Sequence, residues 1–173
     1  MFKIKPHLET ASTIAVMIAA LVVSGVFLLS YLKPKTKPMP TLKAGFEKGQ
    51  RLPPIPGISY GDAPKTLVIA LNTNCRFCSE SVPFYNRLAE AQRSNKTPVR
   101  ILTVFPNSEH EVQQYTQEHQ FALTSKSAVS LQSLNIDATP TMILLDRNGT
   151  IVDFWVGKLS ESAEEQVVKL FTS

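Results

Sequence analysis

Cysteine is scarce in this sequence, since its 173 residues include only Cys75 and Cys78. Two cysteines cannot supply the set of disulfides that holds small secreted domains together. The hydrophobic fraction of 43% is instead sufficient for an ordinary core. Because the two cysteines are spaced Cys-x-x-Cys, we expect them to carry redox or metal chemistry.

Internal repeats are also absent, and most of the chain lacks an excess of positive charge. The net charge is +4, but residues 1–56 hold eight Lys or Arg and two acids, whereas residues 57–173 hold ten Lys or Arg and twelve acids. The positive charge therefore belongs to the N-terminal part. We predict no nucleic-acid binding.

A long uncharged stretch follows a short flank, residues 1–13. Residues 14–32 contain no charged side chain. As a helix, such a stretch spans roughly 28 Å or more, which is enough to cross a bilayer core of about 30 Å. We predict one transmembrane helix over residues 14–32. The alternative is a cleaved signal peptide, whose apolar region is shorter and ends in small residues.

Proline is concentrated between this helix and the rest of the chain, with six prolines in residues 33–56. This composition is typical of a semi-rigid extended tether without a core of its own. We therefore expect one globular domain over residues 57–173.

The two cysteines lie where a strand turns into a helix. Residues 67–71 form an uninterrupted apolar run that predicts a buried strand, and apolar residues recur at helical spacing after Cys78. Asn74 or Thr73 is the expected N-cap. The helix start and the adjacent Arg76 favour a thiolate, so we expect Cys75 to titrate below about 8.5, the value of a free thiol. Cys78, one turn further on, is expected to be buried.

The remainder of the domain alternates strands and helices. Residues 136–152 predict a loop, a strand, a tight turn at Asn148-Gly149 and a second strand. The other predicted elements are a strand over residues 99–105, a helix over 109–119, a short helix over 128–134 and a terminal helix after Ser160. This order predicts an α/β fold with a central mixed sheet flanked by helices.

Taken together, these motifs resemble the thioredoxin superfamily, most closely its membrane-anchored TlpA/ResA-like branch. Cys75 and Cys78 match the catalytic pair, Thr139-Pro140 matches the cis-proline position, and Pro83 matches the proline of the active-site helix. The similarity covers about residues 57–173. It departs from the pattern at Ile69, where thioredoxins bury an acid, and at Ser81, where the ResA-like branch has a glutamate.

The resemblance implies a thiol–disulfide oxidoreductase that needs no cofactor and no metal. Cys75 would be the nucleophile, Cys78 would resolve the mixed disulfide, and the two would form a Cys75–Cys78 disulfide. Thr139, Pro140, Arg76 and Phe77 would contact the substrate. The partners implied are protein thiols or disulfides and a redox partner protein.

The resemblance also implies a single-pass protein of the cytoplasmic (inner) membrane with its domain on the extracytoplasmic, periplasmic side. The distribution of lysines around residues 14–32 favours the opposite orientation. A rival to the enzyme is a membrane-anchored binding module whose cysteine pair is structural or binds metal. One Cys-x-x-Cys gives only two of the four ligands of a closed zinc site, and the cysteine pattern of peroxiredoxins is absent.

Overall fold

The computed structural model describes residues 23–24, 45–95 and 99–171. The chain divides into two compact units, Met1–Pro40 and Thr41–Ser173. The predicted flank and transmembrane helix lie outside the described residues, apart from Val23 and Ser24, which are helical. In the described ranges, no helix combines the length and the apolar character that a membrane crossing requires.

The second unit contains the predicted alternation of strands and helices. Within the described residues, the strands and α-helices are β1 (Lys65–Ala70), α1 (Arg76–Glu80), α2 (Val82–Asn95), β2 (Val99–Val104), α3 (Glu109–Glu118), β3 (Ser125–Lys126), β4 (Thr141–Asp146), β5 (Ile151–Val156) and α4 (Glu161–Lys169). Two short 3-10 helices, Tyr60–Asp62 and Gln132–Leu134, complete them.

The five strands form one mixed sheet in the order β3-β2-β1-β4-β5. Strand β1 is central, parallel to β2 and antiparallel to β4, while β5 is antiparallel to β4. The predicted central mixed sheet is therefore confirmed. Because β1 is covered on both faces, its side chains are apolar at successive positions, which explains the uninterrupted run in the sequence.

One face of the sheet carries the core that includes Cys78. Leu67, Ile69 and Leu71 point into this core. Three helices cover them with side chains that are buried in the same core, among them Tyr85 and Leu88 from α2, Val112 and Tyr115 from α3 and Val167 from α4. The helix that carries Cys78 is thus attached to the sheet through this core.

The opposite face is covered by the chain segment that precedes β1. Phe46, Leu52 and Ile55 are buried against Val68 and other residues of the second core. The prediction of residues 33–56 as a tether without a core is therefore wrong for residues 45–56. The prolines of this stretch fix an extended path, but the apolar residues between them are close enough to the sheet to pack on it.

Gly45 marks where this N-terminal segment meets the loop that leads to β4. A Cβ atom at Gly45 would lie 2.6 Å from the carbonyl oxygen of Asn135, which is closer than real contacts allow. The absence of a side chain at Gly45 therefore permits a backbone approach to the residues just before Thr139 and Pro140.

Local signals in the sequence explain several element boundaries. Ser108 caps α3 in a reciprocal pair with Glu111. Gly149 has a φ of +78° in the turn between β4 and β5, and the Asp146 carboxylate accepts hydrogen bonds from two backbone N–H groups of that turn.

The prediction of a helix over residues 128–134 is wrong for most of that range. Ala128 has a positive φ, and only the 3-10 helix Gln132–Leu134 forms.

We expect Leu52→Ala to lower the free energy of unfolding by about 2–5 kcal/mol, because a buried leucine side chain would be replaced by a cavity. Leu52 is 2% exposed. Chemical denaturation of residues 41–173 measures the change. The exposed neighbour Arg51 provides the control, since Arg51→Ala should shift the value by no more than about 0.5 kcal/mol. Equal stabilities for the two variants would mean that residues 45–56 do not belong to the domain.

Candidate active site

The first cysteine lies at the turn between β1 and α1. Cys75 is itself the N-cap of α1, and its Sγ accepts a hydrogen bond from the backbone N–H of Cys78 at 3.3 Å. The predicted N-caps, Asn74 and Thr73, are thus one and two positions too early. A sulfur in this position faces the unpaired N–H groups of the helix start, which favour negative charge on it.

The loop before β4 brings the second predicted motif to the same place. The Thr139–Pro140 peptide bond is cis, as predicted. The Cys75 thiol donates a hydrogen bond to the Thr139 carbonyl oxygen, with 3.3 Å between sulfur and oxygen. Residues 64 positions apart in the sequence therefore meet at one site, and a substrate sulfur that reaches Cys75 must approach beside this loop.

The second cysteine is buried behind the first. Cys78 has no exposed surface, whereas Cys75 is half-buried. Burial, followed by the hydrogen bond that the Cys78 thiol donates to the Cys75 sulfur, raises the pKa of Cys78 to about 12. Both cysteines carry free thiols in this structure. The pair is therefore unequal, with one accessible thiol and one that water does not reach.

Arg76 does not act on Cys75 in the way predicted from its position. Its side chain is 86% exposed and its Nε binds Glu80 at 2.7 Å. Glu80 also binds the Nζ of Lys158 at 2.8 Å, and hydrogen bonds from Lys158 and then Arg76 lower the pKa of its carboxyl. The positive charge of Arg76 is thus offset by Glu80.

The residue between Arg76 and Cys78 is an exposed aromatic. Phe77 is 55% exposed, one of the few large hydrophobic side chains on the described surface. A cavity of about 420 Å³ lies nearby, lined in part by Asn72, Asp137 and Thr139. The surface near the cysteines therefore offers an exposed aromatic ring on α1 and a recess beside the loop of Thr139.

The helix that carries the cysteines is interrupted after one turn. The chain leaves α1 at Ser81 and α2 starts at Val82, so Pro83 lies in the first turn of α2, where the lack of an N–H costs little. The Ser81 hydroxyl is buried and donates to the Phe77 carbonyl oxygen at 2.8 Å. Ile69 and Ser81, the two positions where relatives carry an acid, thus provide no carboxylate here.

Sequence reasoning missed three groups near this site. Lys158 is separated from Glu80 by 78 positions, so no local pattern connects them. Tyr85 and Tyr115 are buried in the same core as Cys78, and helical periodicity does not distinguish a phenol from a phenyl ring. The Arg76–Glu80 spacing of four residues was the one visible signal for this ion-pair network.

We expect the two thiols to differ in their rates of alkylation. In Cys75→Ser, the reaction of the remaining thiol with iodoacetamide should be slow at pH 8 and still rising with pH above pH 9, because burial, the largest cause of the raised pKa of Cys78, persists when Cys75 is replaced. In Cys78→Ser, the remaining thiol should react rapidly at pH 8. Mass spectrometry at timed intervals measures both. Similar rates at pH 8 would show that Cys78 is not buried as described.

A scan against protein-family models gives no match, and a search of the curated proteins gives none either. The solved structures do provide matches. A thiol:disulfide interchange protein from a Bacteroides species has a TM-score of 0.59 at 19% identity, over 75% of this chain and 93% of that one. The thioredoxin domain of a thiol-disulfide oxidoreductase from Bacteroides vulgatus has a TM-score of 0.58 at 17% identity, over 74% and 99% of the two chains.

StoA from Bacillus subtilis has a TM-score of 0.53 at 19% identity, over 64% of this chain and 84% of the other. These similarities extend over most of each solved chain. Together with the cis-proline beside the Cys-x-x-Cys pair, they show that this chain has a thioredoxin-like fold.

Proposed function

We propose that this protein is a thiol–disulfide oxidoreductase of the TlpA/ResA-like type that acts on protein thiols or disulfides. The observation that carries the proposal is the unequal thiol pair: a half-buried Cys75 next to the Thr139 carbonyl oxygen, with Cys78 buried one turn behind it. The structural neighbours bear names of thiol:disulfide interchange proteins and thiol-disulfide oxidoreductases, which supports the same chemistry here.

The geometry assigns a different step to each cysteine. As a thiolate, Cys75 attacks a substrate disulfide and forms a mixed disulfide, while one substrate sulfur leaves. Cys78 then attacks the Cys75 sulfur, the second substrate sulfur leaves, and a Cys75–Cys78 disulfide remains. The substrate is reduced by two electrons and the protein pair is oxidised by two. The reverse sequence oxidises a substrate dithiol.

Contacts with the substrate come from the surface around Cys75. Thr139 accepts the hydrogen bond of the Cys75 thiol and is followed by the cis Pro140, while Arg76 and Phe77 are exposed on the helix that starts after Cys75. An extended peptide would pass along the cis-proline loop, and the aromatic ring would cover an apolar part of the partner. A redox partner protein that resets the pair would use the same surface, because Cys75 is the accessible sulfur.

We predict unequal trapping by single substitutions. Cys78→Ser keeps the attacking thiol but removes the resolving one, so mixed disulfides with proteins of an oxidised cell-envelope extract should accumulate on a non-reducing gel. Cys75→Ser should trap far less, because its remaining thiol is buried. The double variant is the control for non-specific bands. Equal trapping by both single variants, or by neither, would contradict the proposed roles.

Insulin reduction separates the enzyme from the rival binding module. Wild-type protein with dithiothreitol should reduce insulin faster than dithiothreitol alone, equally with and without a chelator, whereas Cys75→Ser should not. A metal-binding pair would give a different result. The protein would be inactive towards insulin, zinc would abolish the reactivity of the cysteines, and the chelator would restore that reactivity.

We further propose that residues 14–32 anchor the protein in the cytoplasmic membrane and that residues 34–173 face the extracytoplasmic side. Support comes from the resemblance to membrane-anchored relatives and from the uncharged length of residues 14–32. The lysines after residue 32 favour the opposite orientation by the positive-inside rule. In the proposed orientation, these lysines lie on anionic lipid headgroups.

A phosphatase reporter fused after Ser173, which is active only after export, should be active in a bacterial host. The matched fusion to a protein that fluoresces only in the cytoplasm should stay dark. The opposite pair of signals would place the domain in the cytoplasm and overturn this orientation.

A further inference from the structure

The recess beside the loop of Thr139 adjoins the reactive sulfur. Asn72 and Thr139 both line this cavity of about 420 Å³. The Asn72 carbonyl oxygen accepts a hydrogen bond from the Cys75 backbone N–H at 3.1 Å, and the Thr139 carbonyl oxygen accepts one from the Cys75 thiol at 3.3 Å. Two residues of the cavity wall thus contact Cys75 directly, so a peptide whose sulfur reaches Cys75 lies beside the recess.

The recess is large enough for one side chain of such a peptide. Its volume of about 420 Å³ falls within the range of about 300–1,000 Å³ that is usual for ligand pockets. In an extended peptide, side chains two residues apart lie on the same face and are separated by about 7 Å along the chain. A residue one or two positions from the substrate cysteine can therefore place its side chain in the recess.

The wall of the recess combines apolar side chains with one charge. Pro106, Leu131 and Ile136 contribute the apolar part. Among the described residues of the lining, Asp137 is the only charged one, and it is exposed. Lysine and arginine match this combination, because their methylene stems pack on apolar surface while their charged ends stay in contact with water.

The Asp137 carboxylate is available to a partner. Within the described part of the chain, Asp137 belongs to none of the ion pairs. Glu80 on α1 differs, since it already binds both Arg76 and Lys158. A basic group on a substrate can therefore pair with Asp137 without displacing a residue of this protein.

We propose that this recess binds a lysine or arginine side chain next to the reactive cysteine of the substrate, and that Asp137 selects for its positive charge. This inference rests on the proposed oxidoreductase function and defines a class of substrates for it. Asp137 takes no part in the exchange of sulfurs. It determines which cysteines Cys75 captures most rapidly.

The test measures the capture of short peptides by the full-length Cys78→Ser protein in a neutral detergent. Each peptide carries one cysteine in a mixed disulfide with an absorbing aromatic thiol. Lysine, glutamine or glutamate is placed in turn at the two positions before and the two positions after that cysteine. The Cys75 sulfur bonds to the peptide sulfur, the bond to the aromatic sulfur breaks, and the aromatic thiolate leaves, while the proton of Cys75 passes to the buffer. Stopped-flow absorbance gives the rate.

We expect at least one position at which the lysine peptide is captured about two- to fivefold faster than the glutamine peptide and the glutamate peptide is captured more slowly. The effect is modest and should fall at high salt, because accessible ion pairs are weak and are screened. Asp137→Asn should remove the preference at that position, and Asp137→Lys should reverse it.

The matched control is Asp62→Asn, which changes the net charge by the same amount. Asp62 lies before the start of β1, whereas Cys75 follows its end. This variant should keep the preference for lysine, because Asp62 is not part of the recess.

Equal capture of the three peptides at every position, or faster capture of the glutamate peptides, would overturn the inference while leaving the proposed function intact. A preference that survives in Asp137→Asn, or that is lost equally in Asp62→Asn, would also overturn it. The protein with both cysteines tests the function separately, since it should release each captured peptide when Cys78 attacks the Cys75 sulfur. If it releases none, the proposed function is wrong and the inference falls with it.

Discussion

The burial of Cys78 directly behind Cys75 is the constraint on which the rest of the structure depends. Cys75 and Cys78 lie three residues apart at the start of one helix, and the difference in exposure determines which of them a partner can reach. Burial, as the largest cause, raises the pKa of Cys78 to about 12. The same local geometry thus produces an accessible thiol and a protected one.

The sheet fixes the position of the cysteines relative to the cis-proline loop. Strand β1 ends just before the cysteines and pairs with β4, which starts just after Pro140, so the antiparallel register of two strands brings the cis-proline loop beside Cys75. The backbone at Gly45 packs closely against Asn135 of the same loop. The residues after Gly45, namely Phe46, Leu52 and Ile55, are buried in the core on the other face of the sheet. We infer that the N-terminal segment serves the site as well as the stability of the domain.

Much of this was predictable from local patterns. The strand before Cys75, the turn at Asn148-Gly149 and the cap at Ser108 each follow from chemistry within a few residues. The N-terminal segment was misjudged because proline content suggested an extended chain, which is correct locally, while the burial of Leu52 depends on a sheet surface formed by residues distant in sequence.

The electrostatics of the site could not be predicted in the same way. Arg76 was expected to act on its neighbour Cys75, but a side chain of that length reaches Glu80 one turn on, and Lys158 arrives there from the end of β5. Tyr115 and Cys78 share one core only because α3 packs on the same face of the sheet as α1 and α2. Pairings of this kind depend on tertiary structure and leave no spacing in the sequence.

The most direct test of the central claim is the redox equilibrium of the Cys75–Cys78 pair. The protein is equilibrated with buffers of defined thiol–disulfide ratio, quenched by acid, and the fraction with an intramolecular disulfide is measured by mass spectrometry. The account predicts one reversible two-electron transition with a midpoint between about −120 and −270 mV, the range of catalytic pairs. A midpoint below about −300 mV, typical of structural disulfides, or no intramolecular disulfide at any ratio, would contradict it.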